Sequence, residues 1–126
     1  MLVVGSAPCA LEDLQQARML YADAEVMLVN GACTMVEAAE HMLCGHTAKT
    51  DEFVAARDKA FPMADPIRVH ASTLLKHRTK QELAFAVVTD WWTDVSSGAT
   101  SAGKAAMIGL KMGFNPVVLC GCPMDG

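Results

Sequence analysis

Basic residues are scarce in this chain. Lys and Arg number 10 against 14 Asp and Glu, for a formal net charge of −4 over 126 residues. The cations are also dispersed, whereas a nucleic-acid surface needs them clustered to displace counterions. No nucleic-acid partner is expected. Charged residues are only 19% of the chain and hydrophobic residues 52%, a composition that excludes disorder. No apolar run approaches the roughly 20 residues of a membrane-spanning helix. The first apolar run stops at Gly5 without a basic segment before it, so no signal peptide is expected. The five cysteines, at 9, 33, 44, 120 and 122, are odd in number and several sit in apolar contexts. A reduced, cytoplasmic protein is expected. Repeats, low-complexity tracts and linkers are missing too, which predicts one domain over 1–126.

Short apolar runs alternate with helical stretches. Met1–Gly5 (MLVVG) reads as a buried strand and Ser6–Ala10 as the loop after it. Over Leu11–Tyr21 apolar residues recur at 11, 14, 17 and 20 or 21, the spacing of a helix. Glu12 and Asp13 in its first turn suit the helix dipole. Asp23–Asn30 is a second strand, Cys33–Ala39 one or two helical turns, and His41–Cys44 a third strand. Lys49–Phe61 reads as a helix with Asp51, Glu52, Arg57 and Asp58 on its wet side, stopped by Pro62 and Pro66. Ile67–His70 is a weak strand, Thr73–Gln81 a basic helix, Leu83–Thr89 (LAFAVVT) a stronger strand, and Trp91–Gly98 a loop. Ser101–Met112 is a helix ended by Gly113, and Pro116–Cys120 the last strand. This alternation predicts an α/β fold with a mostly parallel sheet of about five or six strands.

Open α/β sheets bind ligands beyond the carboxyl ends of their strands, so the loops there hold the candidates. Gly5-Ser6-Ala7-Pro8-Cys9 lies between the first strand and first helix. Small residues admit a ligand to the backbone, and the helix N-terminus offers N–H groups to an anion. The stretch is not the Gly-x-Gly-x-x-Gly fingerprint, and an ordinary tight turn has the same composition. Gly98–Ala105 fits Gly-x4-Gly-Lys, but Ala105 carries no hydroxyl for magnesium, and polar residues precede the stretch. A P-loop is therefore rejected. Cys120-Gly-Cys122 lacks the Cys-x-x-Cys spacing of a zinc site and reads as buried cysteines at a strand end. Of His41, His46, His70 and His77, His46 follows a strand and a glycine, where such sheets place functional groups; a structural or solvated role is the alternative for each. Asp90, Asp94 and Asp125 could offer carboxylate oxygens to a cation, but they are also what loops normally carry and no metal is expected. Trp91 and Trp92, as neighbours at a strand end, point to opposite faces: one packs under helices, the other lines a crevice or an interface.

In order, these pieces resemble bacterial sialyltransferases of the kind that modify lipooligosaccharide. There a strand runs into a Gly-x-Gly-Pro-Ser-like loop, here Gly5–Cys9, and a second strand ends in Asn, here Asn30. A Ser-Gly turn (Ser97-Gly98), a helix with Ala105-Ala106, then Met112-Gly113-Phe114 and an apolar strand, Val117–Gly121, complete the series. The layout is also similar to a domain-of-unknown-function group that includes archaeal pterin diphosphokinase-like and flagellin-glycosylation proteins, with short phage relatives. The resemblance implies a Rossmann-like three-layer sandwich and a crevice for a nucleotide or nucleotide-sugar. It points to Gly5, Ser6, Ala7, Pro8, Asn30, Ser96, Ser97 and Gly98 as its lining. Backbone N–H groups of the first loop would meet phosphate; Asn30 and Ser97 would meet ribose or base. The chain departs from the pattern where Pro123 takes the place of an Asp and where Gly126 comes before the segment bearing the family's catalytic His. A fragment, a chain completed by a partner, or a chain without transferase chemistry is expected.

Three functions follow from these residues and this resemblance. One is a glycosyltransferase-type nucleotide or nucleotide-sugar binding domain, with His46 as general base if group transfer occurs. The others are a non-catalytic binding or interaction module, such as a phage accessory protein, and a pterin or nucleotide diphosphokinase. No cofactor is identifiable from the sequence. A homo-oligomer is expected from the Ala- and Met-rich helices.

Overall fold

The computed structural model describes residues 1–95 and 100–122. In chain order its elements are β1 (Leu2–Val4), α1 (Ala10–Leu20), β2 (Val26–Val29), β3 (His41–Leu43), α2 (Thr50–Ala60), β4 (Arg68–Ser72), α3 (Arg78–Ala84), β5 (Asp90–Trp92), α4 (Ser101–Lys111) and β6 (Val118–Cys120). Short 3-10 segments occupy Asn30–Thr34, Thr47–Lys49 and Leu75–His77. Among the described residues no helix is long and apolar enough to cross a membrane.

The six strands form one parallel sheet in the order β5-β4-β3-β2-β1-β6. From β1 to β5 the chain steps steadily in one direction, then returns to place β6 on the far side of β1. Right-handed crossovers put connections that step in opposite directions on opposite faces. The packing agrees. Leu2, Val4, Leu28, Met42 and Ala71 face Ala10, Leu14 and Ala17 of α1 and Phe53 and Val54 of α2. Val3, Met27, Val29 and Leu43 face Ala105 and Ile108 of α4. The result is an α/β fold with the layers of a Rossmann-like sandwich. Strands β1 to β3 are buried throughout, which explains why they read as continuous apolar runs rather than as alternating ones.

The region after β4 departs from expectation. LAFAVVT is not a strand. Its first two residues end α3, and Val88 N–H donates to Phe85 O at 3.1 Å in a turn. Phe85 and Val88 reach the core while Leu83 is 83% exposed. An apolar run of seven residues has no periodicity that separates a helix end from a strand, and here the turn wins. The strand is instead Asp90–Trp92, so the tryptophans belong to β5 rather than to a loop. Trp91 packs on the α1–α2 face and Trp92 on the α4 face, as neighbours on a strand must. The helix expected over Thr73–Gln81 begins at Arg78. Arg57 is not on the wet side of α2: it is 3% exposed. Its guanidinium donates to the carbonyls of Cys33 (2.9 Å), Val36 (2.7 Å) and Glu37 (2.6 Å) and so clamps the segment between β2 and β3.

Candidate functional site

The loops after β1, β2 and β3 meet the first turn of α4 at the carboxyl edge of the sheet. Close backbone approach is what makes this junction. A Cβ on Gly5 would lie 2.5 Å from Gly121 O, and one on Gly45 would collide with the Ser101 hydroxyl and sit 2.8 Å from Ser101 Cβ. Glycine at these two positions lets β6 and α4 press against the strand ends.

Asn30 stands at the end of β2 with φ of 52°, a left-handed conformation that asparagine tolerates better than most residues. Its Oδ1 accepts the Gly45 N–H at 2.8 Å, tying the end of β2 to the end of β3. A cleft of about 130 Å³ opens beside it, lined among others by Gly5, Ser6, Asn30, His46, Ser101 and Cys122. The structure thus brings together four of the expected residues: Gly5, Ser6, Asn30 and the exposed His46. Ala7 and Pro8 are not among the lining residues, and the Ala7 N–H donates to Gly121 O at 3.0 Å. Ser96, Ser97 and Gly98 lie outside the described residues.

A second cleft, of about 240 Å³, lies beyond Gly45 and is lined by Thr47, Ser72, His77, Val95 and Lys104. Lys104 is the lysine of the Gly98–Ala105 stretch, which is not a P-loop. It ends the first turn of α4, whose N-cap is Thr100, with Thr100 Oγ1 accepting from Gly103 N–H at 3.0 Å. The Lys104 ammonium is half-buried and donates to Gly45 O at 3.3 Å. Among the described residues no carboxylate forms an ion pair with it. A lysine in the first turn opposes the helix dipole, and that misplacement was the legible signal.

Electrostatics separates this edge from the rest of the surface. Helix α1 carries Glu12 and Asp13 in its first turn, and Asp13 Oδ2 accepts from Gly121 N–H at 2.9 Å. The first loop therefore faces a carboxylate, which disfavours phosphate there. Larger cavities, of about 410 and 610 Å³, open at the opposite edge of the sheet. The first is lined by Asp23 and Glu25 and the second by Glu25, Glu37, Glu40 and Asp65 against Arg68. Carboxylates outnumber the cations in both, the Met1 ammonium in the first and Arg68 in the second, so size is a poor guide to an anion site here.

Of the two cysteines read as buried at a strand end, Cys120 is buried and Cys122 half-buried. Burial pushes the thiols of Cys33, Cys44, Cys120 and Cys122 up from their ordinary values, which keeps them protonated and weakly nucleophilic at neutral pH. Cys9 is exposed at the N-terminus of α1, its thiol raised by a hydrogen bond to Asp13. Among the described residues no three His, Cys, Asp or Glu side chains are grouped to hold a metal ion.

No protein-family model matches the chain, and no curated protein or solved structure matches it closely enough to carry an argument.

Proposed function

We propose that the carboxyl edge of the sheet binds a nucleotide or nucleotide-sugar, in a domain of glycosyltransferase type. The observation that carries this reading is Lys104, a half-buried ammonium at the N-terminus of α4 with no carboxylate paired to it among the described residues. Lys104 lines the second cleft while Asn30, His46 and the first residues of α4 line the first, so the ligand would span Gly45, with a phosphate or carboxylate on Lys104 completing that charge. The acidic first turn of α1 moves the anionic end of the ligand away from the first loop and toward α4. Asn30 keeps its amide N–H groups for ribose or base after Oδ1 has been taken by Gly45. His46, exposed on the cleft rim, is the general base for an acceptor hydroxyl.

A non-catalytic binding module is the second reading. It is favoured by the size of the cleft, about 130 Å³ against the roughly 300–1,000 Å³ of a pocket for a drug-sized ligand.

A thermal-shift screen against CMP, CDP, UDP, GDP, ATP and CMP-sialic acid, each with and without magnesium, tests the proposal. Ligand at a hundredfold excess over Kd stabilises by about 2.7 kcal/mol, a rise on the order of 10 °C for a chain of this size. Lys104→Met should weaken binding about 10- to 100-fold, the loss of one charge-assisted hydrogen bond. No shift with any of the six overturns the nucleotide reading. A shift unaltered by Lys104→Met overturns the placement of the anion. Binding without turnover of CMP-sialic acid favours the second reading.

A further inference from the structure

On the α4 face of the sheet a line of polar side chains runs from one strand edge toward the other. Trp92 Nε1 lies 3.0 Å from His70 Nδ1, His70 Nε2 lies 2.9 Å from His41 Nδ1, and His41 Nε2 lies 2.7 Å from Glu25 Oε1. His41 and His70 are 1% and 0% exposed. The proposed ligand site uses none of these groups.

The direction of every proton in the line follows from its two ends. An indole N–H only donates, and a carboxylate only accepts. Trp92 therefore makes His70 Nδ1 an acceptor, which puts the His70 proton on Nε2. His41 Nδ1 must then accept, which puts the His41 proton on Nε2, facing Glu25. Three bonds hold three protons. A fourth proton on His70 Nδ1 would face the Trp92 N–H. A fourth on His41 Nδ1 would face the His70 N–H, and shifting the His70 proton to Nδ1 only moves the conflict back to Trp92. Neither ring can be protonated with all three bonds kept.

We propose that this line is a proton-operated latch: uptake of one proton by the His41–His70 pair breaks the bond to Trp92 and frees its indole from the sheet. The change stays local, because the Thr73 N–H still donates to Trp92 O at 3.0 Å and keeps the β5 backbone in place. Freeing the indole unpacks the cluster it shares with Val95, which walls the cleft containing Lys104. The charged and titratable groups around the rings come from each neighbouring strand: Glu25 before β2, Arg68 on β4 and Asp90 on β5. Arg68 and Asp90 are paired with each other at 2.6 and 3.1 Å. From the turn after α4 the ring of Phe114 stands edge-on to His41, 6.2 Å between centroids. Burial is the largest influence on His70 and holds it neutral down to about 4; Asp90 opposes, while His41 and Arg68 reinforce.

Nitrogen-15 NMR of the intact chain between pH 7.5 and 3 tests the latch without any ligand. At pH 7.5 both rings should carry their proton on Nε2, and the Trp92 indole N–H should resist exchange. On acidification, proton uptake by the rings and loss of that protection should occur in one step, with the amides of β1 and β2 unchanged. In Trp92→Phe, which removes the opposing donor, uptake should move to higher pH by about half to one unit. Three results overturn the proposal. They are an Nδ1-protonated His70 at pH 7.5, ring protonation that leaves the Trp92 indole protected, and release of Trp92 only when the β1 and β2 amides also collapse. An unchanged titration in Trp92→Phe overturns it as well.

Discussion

Gly45→Ala tests how tightly α4 is seated on the end of β3. Gly45 lies under the first turn of that helix, and the added methyl group would overlap the Ser101 hydroxyl and approach Ser101 Cβ to 2.8 Å. The hydroxyl can rotate away; Cβ moves only if the helix moves. The next neighbour, Asn30 Oδ1 at 3.6 Å, is an ordinary contact. The substitution keeps the Gly45 N–H and its bond to Asn30, so the loss is confined to the helix seat. Overpacking of this kind costs about 1–3 kcal/mol. Ser101→Gly removes both offending atoms at a cost of about 1 kcal/mol or less. Urea unfolding of the two single variants and the double variant closes the cycle. The double variant should be more stable than the sum of the single effects by about 1–3 kcal/mol. Additivity within about 0.5 kcal/mol would show that the two residues do not meet, and the described seat of α4 would be wrong.

Other consequences follow from single groups. His70 is held at about 4 against an ordinary 6.5, so the unfolded chain binds the proton that the folded chain refuses. Stability from this group is complete above pH 6.5 and falls as the pH drops toward 4, by at most roughly 3 kcal/mol; His70→Asn should flatten that part of a pH–stability profile measured by urea unfolding. Asp90, whose carboxyl is lowered chiefly by its hydrogen bond from Arg68, contributes in a separate window below its ordinary 3.8. Arg57→Leu leaves three carbonyls without their charged donor and should cost at least about 3 kcal/mol, seen as a lowered urea midpoint. Asn30→Gly keeps the left-handed backbone and loses only the bond to Gly45, whereas Asn30→Ala loses both; by thermal unfolding the alanine variant should be the less stable by about 1 kcal/mol.

The first half of the fold was legible because its local signals agree. In β1, α1 and β2 a buried apolar run, a helical spacing and a second run succeed one another with turn residues between them. Agreement ends after β4, where LAFAVVT satisfies strand composition while its neighbours Arg78–Ala84 continue a helix. The inward turn of Arg57 was hidden for a different reason: a lone arginine among Asp51, Glu52 and Asp58 looks solvated until the carbonyls it binds, some 20 residues away, are in place. The same distance hides His41 and His70, 29 positions apart in sequence and neighbours only because β3 pairs with β4. At the carboxyl edge, Gly5, Ser6 and His46 were visible as small or polar residues in the turns after strands, whereas Asn30 was pointed to only by the family resemblance. Lys104 carries its signal in its place on the first turn of α4, not in the motif around it.

The proposed function places an anionic ligand at the carboxyl edge, between Asn30 and the first turn of α4. The most direct measurement is an amide chemical-shift map of the nitrogen-15-labelled chain titrated with CDP. Saturable shifts centred on Ser6, Asn30, Gly45, His46, Ser101 and Lys104, lost in Lys104→Met, are the expected result. Shifts centred instead on Glu37, Glu40 and Arg68 at the opposite edge, or no saturable shifts at all, would contradict it.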